Sequence, residues 1–249
     1  MGAPDHRYAA QPRPEPAFIG RLYAAYPEFN AALRRADRAR DIDCYDETLY
    51  RYLDRHVARD ASIVELGCGD GRKLRSLLAR GYTDICGCDP LAPSATDIDL
   101  RSQDAMVFLE TTDRTFDFVI LNDVLEHLSP EEICALLTAL AAHAGPGTAV
   151  YVHAPNGASP FGGLYQYGDL THRSVINELS IHQIACLTPF AVAAYLSERS
   201  AIARYTGIKR QAAMLANLIN RSLLAMVSYL IFRRKTCLMP NLICIMKLR

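Results

Sequence analysis

A glycine-rich turn is the first feature of the sequence whose residue types suit chemistry. It reads Glu65-Leu-Gly-Cys-Gly-Asp-Gly71 and stands between a short β-branched run and a helical pattern. Glycines lack a Cβ atom and tolerate positive φ, so the backbone of such a turn can approach a ligand closely. Asp89 ends the next predicted strand, where an acid would hold two ribose hydroxyls. The pattern predicts a nucleotide-type site.

The spacing of the glycines separates the cofactor classes. A dinucleotide fingerprint needs a further glycine at the position of Arg72. An acid followed by G-x-G-x-G instead resembles motif I of the S-adenosylmethionine (SAM) dependent methyltransferases. The resemblance implies SAM as the cofactor, with Asp104 at the adenine amino group and the backbone after Asn122 at the methionine moiety. The cofactor-binding residues that it implies are Glu65, Gly67, Cys68, Gly69, Gly71, Asp89, Asp104 and Asn122.

Two histidines are candidate general bases. His127 follows the end of a predicted strand, and His172 ends a loop rich in Gly, Pro and Tyr, so both are expected at the ligand-binding edge of the sheet. A hydroxyl acceptor must lose its proton as it attacks the methyl carbon, and histidine titrates near neutral pH. We expect His172 to be the base and His127 to support the methionine-side loop. A structural role for His127 stays open.

Acidic residues beside His127 suggest another use of the same edge. Asp123, Glu126 and His127 stand at helix-like spacing, and His172 could complete a cation site with oxygen and nitrogen ligands. The arrangement is similar to that of the small-RNA 3′-end methyltransferases, in which Glu-x-x-Glu-His and a distant His hold a divalent ion. Asp123 stands where those enzymes have the first Glu. The first expectation is a site without metal, and this cation site is its alternative.

Residues 154–172, with the C-terminal apolar helix and the final strand, resemble bacterial methyltransferases associated with surface-polysaccharide biosynthesis. The resemblance implies O-methylation of a sugar hydroxyl in a glycan or glycolipid precursor. Phe161, Tyr165 and Tyr167 could form an apolar wall around a sugar face. His153 departs from the pattern, because a plain hydrophobic residue is expected there.

Two other functions remain open, namely O-methylation of a small molecule such as a quinone precursor, and a SAM-binding or scaffold module without catalysis. The second is distinguished by whether the edge with His127 and His172 is needed for turnover. The 27 basic residues balance the 27 acidic ones, so the chain has no global field that would attract nucleic acid, and no such partner is expected. Eight cysteines without a C-x-x-C pair indicate a reduced, cytoplasmic chain.

Strands and helices alternate around the glycine-rich turn. This alternation predicts an α/β, doubly wound, mostly parallel sheet, whose ligand lies at the carboxyl ends of the strands. Together with the resemblance to SAM-dependent methyltransferases, it implies a Rossmann-like seven-stranded sheet with an antiparallel last strand. The predicted strands are 62–66, 84–88, 100–103, 116–121, 148–153, 201–205 and 241–248. The main predicted helices are 72–80, 130–143 and 176–196.

The predicted organisation is a flexible leader at 1–17 and one methyltransferase domain at 18–249, with a helical cap at 18–58, an acceptor loop at 155–180 and an apolar helix at 209–235. Because Arg221 interrupts the apolar helix, we do not expect it to span a membrane. It should lie on its own domain, on a second copy of the chain or on a membrane surface. Basic residues at both ends favour the membrane, and would place the chain peripherally at its inner face.

Overall fold

A seven-stranded sheet forms the centre of the unit Ile42–Arg249. The computed structural model describes residues 20–22, 24, 25, 28, 47–93, 95, 97–197, 206–233 and 236–249. All elements named below belong to the unit formed by Ile42–Arg249. The strands are β1 (Ile63–Leu66), β2 (Ile85–Cys88), β3 (Asp99–Arg101), β4 (Phe116–Asn122), β5 (Ala144–Pro155), β6 (Phe190–Leu196) and β7 (Asn241–Leu248).

The strand order is β3-β2-β1-β4-β5-β7-β6. The first five strands of this order pair in parallel, whereas β7 runs antiparallel to both β5 and β6. The order of the chain reverses between β1 and β4, and such a switch point opens a crevice outside the carboxyl ends of the strands. The predicted Rossmann-like, doubly wound fold with an antiparallel last strand is therefore confirmed.

Seven helices are described alongside the sheet, and a short 3₁₀ turn at Leu125–His127 follows β4. The helix after that turn begins with a capping box between Ser129 and Glu132 and has Pro130 in its first turn, where a missing N–H costs no helical hydrogen bond. The helices are α1 (Glu47–His56), α2 (Arg72–Ala79), α3 (Ala105–Thr111), α4 (Pro130–Ala141), α5 (Gly163–Gly168), α6 (Glu178–Leu187) and α7 (Gly207–Phe232).

Alternating residues of the central strands supply the two halves of the core, because successive side chains of a strand point to opposite faces. On one face, Phe118 and Ile120 of β4 pack with Leu49 and Leu53 of α1. On the other face, strand residues including Val119 join the leucines of α4. The core therefore holds β1 and β4 rigidly, and with them the loops that follow their carboxyl ends.

The sixth strand lies elsewhere than the sequence predicts. The segment 176–196 was expected to be one helix, yet α6 ends at Leu187 and β6 occupies Phe190–Leu196. The reason is Pro189, which disfavours helical backbone at the residue before it, so the chain leaves the helix and pairs with β7. The strand predicted at 201–205 lies outside the described residues.

The N-terminal predictions are described only in part. Within the predicted cap at 18–58, Glu47–His56 is a helix with Leu49 and Leu53 fully buried. The leader at 1–17 and most of the remaining cap lie outside the described residues. The predicted acceptor loop contains a short helix, Gly163–Gly168.

Helix α7 (Gly207–Phe232) covers most of the predicted apolar helix and is largely exposed. Among the described residues it is the one helix whose length and composition would suffice to cross a membrane, and only 6% of its most apolar stretch is buried. The expectation that it is too interrupted for a span is therefore not supported by length and composition. Arg221 lies in the middle of the helix and donates to Ser197 Oγ at 2.8 Å, which places it beside the protein.

Candidate active site

The glycine-rich turn joins β1 to α2, and all three of its glycines have left-handed backbone. Their φ angles are 79° at Gly67, 54° at Gly69 and 74° at Gly71. A Cβ atom on Gly67 would come within 2.6 Å of Val124 Cγ2, so that glycine allows the loop after β4 to pack against the turn. A Cβ on Gly69 would meet nothing within 4 Å. The crown of the turn is therefore open to a ligand.

Asp89 lies beside this turn, at the end of β2. Its Oδ2 accepts a hydrogen bond from the Gly69 N–H at 3.0 Å, and its Oδ1 accepts one from the Leu91 N–H at 2.7 Å. The parallel register of β1 and β2 brings the two loops together, because Leu66 pairs with Cys88. The turn and the acid that the sequence predicts as partners thus form one unit, with the carboxylate oriented by backbone donors.

Glu65 and Cys68 are more buried than ligand contacts usually are. Glu65 is 2% exposed, and Lys73 Nζ lies 3.9 Å from its Oε1. Burial, together with the charges of Glu65 and Asp89, raises the pKa of the Cys68 thiol, which therefore stays protonated. These two buried side chains therefore pack beneath the surface of the turn, and at these two positions a ligand would be contacted by the backbone.

Asp104 and Asn122 lie at the ends of neighbouring elements. Asp104 is the N-cap of α3, where its Oδ1 accepts from the Met106 N–H at 2.7 Å while the residue remains exposed. Asn122 ends β4 and donates from Nδ2 to Asp123 Oδ2 at 2.8 Å. Both residues therefore lie at the edge formed by the carboxyl ends of the strands, as predicted. The side chain of each makes one local hydrogen bond.

His153 is a site residue that the sequence interpretation noted only as a departure from a family pattern. Strands β4 and β5 place Asn122 opposite His153, and His153 Nδ1 lies 2.7 Å from Asp123 Oδ1. Desolvation opposes ionisation of Asp123, but the charge and hydrogen bond of His153, together with the charges of Lys73 and His127, outweigh it and hold the pKa of that carboxyl below its ordinary value. The signal in the sequence was a polar residue inside an otherwise apolar strand.

The structure brings three of the predicted residues into one cluster, which we call the Glu-His-His cluster: Glu126, His127 and His172. One potential ligand atom of each lies within 4.8 Å of the others. The two imidazole rings meet edge to face, with 4.7 Å between their centroids. Asp123 is not part of this group, because its carboxylate bonds to His153 and Asn122.

Hydrogen bonds assign the protons of both imidazoles. The Thr171 hydroxyl donates to Asp169 Oδ1 at 2.6 Å, so at 2.8 Å from His127 it must accept from Nδ1–H. His172 Nδ1 lies 2.9 Å from the carbonyl oxygen of Gln166, which can only accept. In the neutral state of each ring, the lone pair is therefore on Nε2.

Glu126 is the most deeply placed member of the cluster. It is 0% exposed, and no other residue that the structure describes hydrogen-bonds either carboxylate oxygen. Burial, followed by the charges of Asp123 and Asp169, raises the pKa of this carboxyl well above its ordinary value. Its backbone carbonyl accepts from the N–H groups of Arg173 and Ser174, which ties the acceptor loop to the turn after β4.

Backbone contacts join the cluster to the glycine-rich turn. The His127 N–H donates to the Val124 carbonyl at 3.1 Å, and Val124 is the residue that packs against Gly67. The predicted aromatic wall lies further out, with Phe161 60% exposed and Tyr167 74% exposed. The edge therefore offers an open turn, a buried polar cluster and an exposed aromatic loop in succession.

Comparisons with known proteins identify the family. A family model described as a methyltransferase domain matches residues 34–194. The chain belongs to this methyltransferase family. No curated protein matches the sequence.

Solved structures share the fold of this methyltransferase at low sequence identity. A SAM-dependent methyltransferase from Archaeoglobus fulgidus has a TM-score of 0.60 and 16% identity, over 88% of this chain and 99% of its own. The 1,6-didemethyltoxoflavin-N1-methyltransferase of Burkholderia thailandensis, bound to S-adenosylhomocysteine, has a TM-score of 0.58 and 14% identity, over 100% of this chain and 92% of its own. A SAM-dependent methyltransferase from Clostridium acetobutylicum has a TM-score of 0.54 and 11% identity, over 91% of this chain and 98% of its own.

SAM is the cofactor of this methyltransferase, as the glycine spacing implied. The geometry fits it, because the open crown at Gly69 admits a ligand and Asp89 is oriented at the end of the next strand. When bound, SAM supplies a methyl group on a sulfonium centre. The residues that would hold it are those of the turn, Asp89, Asp104 and the loop that begins at Asn122.

Proposed function

We propose that this methyltransferase transfers the methyl group to a hydroxyl of a sugar, in a glycan or glycolipid precursor. The observation that supports the proposal is the Glu-His-His cluster, which follows β4 and is joined through Val124 to the glycine-rich turn. His127 and His172 each direct an Nε2 lone pair away from their Nδ1–H partners. Groups of this kind can take a proton from an acceptor.

The need for proton removal separates oxygen acceptors from nitrogen acceptors. A neutral amine already carries a nucleophilic lone pair, whereas an alcohol must lose its proton as the C–O bond forms. In O-methylation the methyl carbon bonds to oxygen, the carbon–sulfur bond breaks with its electron pair on sulfur, and the hydroxyl proton passes to a base. Two imidazoles at the acceptor side of the edge therefore favour a hydroxyl over an amine. In the simplest scheme His172 is that base.

The exposed acceptor loop supports a sugar as the group that carries the hydroxyl. Phe161 and Tyr167 are 60% and 74% exposed, so their faces are available to stack on a pyranose ring. Leu164 and Leu170 of the same loop are also exposed, at 74% and 70%, and would equally suit a quinone-type acceptor. A non-catalytic binding module is disfavoured because it would not need the buried cluster.

We further propose that α7 (Gly207–Phe232) holds the enzyme at the cytoplasmic face of a membrane. Its side chains are exposed on nearly every side, including Leu215, Leu218, Leu223 and Leu230, each at least 50% exposed. The sequence has no Asp or Glu after Glu198, so the whole segment is basic where it is charged. An apolar, basic helix suits an anionic lipid surface and would bring the enzyme to a lipid-linked acceptor.

The proposed chemistry is tested by following the label from [methyl-³H]SAM into three acceptors: a free disaccharide, a lipid-linked saccharide and a catechol. We expect a saccharide product whose label survives mild alkali, as a methyl ether does and a methyl ester does not. Label that appears only in the catechol would replace the sugar with a small aromatic acceptor. Label in an N-methyl product would overturn O-methylation, and label in a methyl ester would replace the hydroxyl acceptor with a carboxylate.

A further inference from the structure

Glu126 poses a problem that the proposed function does not solve. Without a cation, burial favours the protonated form of this carboxyl, because a buried charge needs a compensating partner and no other described residue hydrogen-bonds either oxygen. Its two neighbours in the cluster are imidazoles whose Nδ1–H groups donate elsewhere, to Thr171 and Gln166. As neutral rings they carry a lone pair on Nε2, which does not stabilise the charged form of Glu126.

A cation could bind the carboxylate of Glu126 and the imidazoles of His127 and His172 at the same time. One donor atom from each of Glu126, His127 and His172 lies within 4.8 Å of the other two, a separation that a small shift of rotamers closes around a metal ion. We propose that the Glu-His-His cluster is a binding site for a divalent transition-metal cation such as Zn²⁺, Mn²⁺ or Co²⁺. Two imidazole nitrogens with one carboxylate form a ligand set for these metals, whereas Mg²⁺ and Ca²⁺ prefer oxygen ligands throughout.

The surroundings of the two histidines have the form of a second coordination sphere. Metal-bound histidines generally donate their other N–H to a carboxylate, a carbonyl or a similar group that fixes the ring. His127 donates to Thr171, whose hydroxyl donates on to Asp169, and His172 donates to the Gln166 carbonyl. Gln166 is itself 4% exposed and donates from Nε2 to the Ser174 carbonyl. Both rings are thereby fixed through Nδ1–H, and Nε2 is the nitrogen that would bind a metal.

The ligand set differs from the one that the sequence predicted as an alternative. Asp123 was expected among the ligands, but His153 holds its carboxylate at 2.7 Å. Asp169 is instead the acid close to His172, with 4.0 Å between its Oδ2 and His172 Nε2. Three protein ligands leave coordination positions for water or for an acceptor, which is the arrangement of catalytic rather than structural metal sites.

The inference deepens the proposed O-methylation and, as to mechanism, rests on it. A divalent cation lowers the pKa of a hydroxyl bound to it, so the acceptor would lose its proton to water at neutral pH. His127 and His172 would then act as ligands and not as bases. The cation would also hold two neighbouring hydroxyls in a fixed orientation, which suits a vicinal diol of a sugar.

The test uses Co²⁺ as probe on the full-length protein after dialysis against EDTA, without an acceptor. We expect one Co²⁺ per chain, with visible absorption bands from nitrogen and oxygen ligands. Glu126→Gln, which keeps the shape of the side chain, and His172→Ala should abolish these bands. Thr171→Val should weaken Co²⁺ binding about 10- to 100-fold, because it removes the group that orients His127. SAM affinity, measured by calorimetry, verifies that each variant is folded.

His182→Ala is the matched control, because His182 is exposed on α6 and outside the cluster. It should bind Co²⁺ as the unmodified protein does. Absence of stoichiometric Co²⁺ binding, or binding that survives both Glu126→Gln and His172→Ala, would overturn the metal site and leave the proposed O-methylation standing. Stoichiometric Co²⁺ binding in an enzyme that methylates only nitrogen would keep the metal site and overturn the proposed function.

Discussion

His127 and His172 lie edge to face, with 4.7 Å between their ring centroids. His127 belongs to the turn after β4 and His172 to the loop after β5, so the pair joins two segments that are distant in the chain. The sequence interpretation assigned the two residues to different steps. Their shared surroundings, with Thr171 bonded to His127 and Glu126 beside both, favour a common role at the acceptor side.

His172→Ala should lower turnover about 10²- to 10⁴-fold, the usual contribution of a positioned acid or base. SAM affinity should not change, because the contacts of His172 are with Gln166, Asp169 and His127 and not with the glycine-rich turn. His127→Ala should behave in the same way, whereas the role predicted from the sequence would raise its SAM dissociation constant. Initial rates and calorimetric titrations measure the two quantities. Full turnover in His172→Ala would remove that residue from the mechanism.

Gly69→Ala should weaken SAM binding at least tenfold. Its φ of 54° strains any L-residue, at a cost of about 1–2 kcal/mol, and the added methyl group would enter the open crown of the turn. Gly81→Ala is the matched control, because Gly81 has a φ of 89° and equally open surroundings at the end of α2. Urea unfolding should show similar destabilisation in both variants. Equal losses of SAM affinity would mean that strain, and not occupancy of the crown, is responsible.

Asp89→Ala should weaken SAM binding by about 1.5–3 kcal/mol, the range for losing charge-assisted hydrogen bonds to ribose, which corresponds to roughly 10- to 150-fold in Kd. The SAM affinity of Asp89→Asn should lie between those of the unmodified protein and Asp89→Ala, because its amide oxygen can still accept from the Gly69 N–H. Asp54→Asn, an exposed acid paired with Arg59, serves as the control. Isothermal titration with SAM measures all four proteins, and unchanged affinity in Asp89→Ala would contradict the ribose assignment.

Leu215→Glu with Leu230→Glu should abolish flotation of the protein with vesicles of phosphatidylglycerol and phosphatidylcholine. Both side chains are exposed on α7, at 59% and 58%, and acids there would oppose apolar burial and repel anionic lipid. Leu187→Glu, at a 73% exposed position on α6, should float as the unmodified protein does. SAM affinity should be equal in all three. An unmodified protein that dimerises without floating would assign α7 to a second copy of the chain.

Asp123→Asn should lower stability at neutral pH but not in acid. The pKa of Asp123 is lower in the folded chain than its unfolded value of about 3.9, so its stabilising interaction with His153 is present above that pH and is lost as the pH falls through the folded value. Asn suits the left-handed backbone at this position, where φ is 55°. The difference between the urea midpoints of the two proteins should narrow as the pH falls below about 3.9. A constant difference would show that charge is not involved.

The cofactor half of the site was predictable from sequence because its determinants are local. Three glycines in five residues demand left-handed backbone, a β-branched run forms β1, and an acid at the end of the next strand falls beside the turn in any parallel pairing. The mostly parallel, doubly wound sheet followed from the alternation of elements in the same way. Local backbone preference and strand pairing need no knowledge of the packed core.

The acceptor half depended on contacts between distant segments, which only tertiary structure decides. No local pattern shows that Glu126 is buried without a partner, or that His153 holds Asp123 away from it; both follow from the register of β4 against β5 and from the loop that returns at Arg173. The sequence offered His172 as the base and His127 as its support, with Asp123 and Glu126 only as ligands of an alternative cation site. Packing separated them, because a buried carboxylate and two oriented imidazoles can share one small space, whereas an acid already bonded to His153 cannot join them.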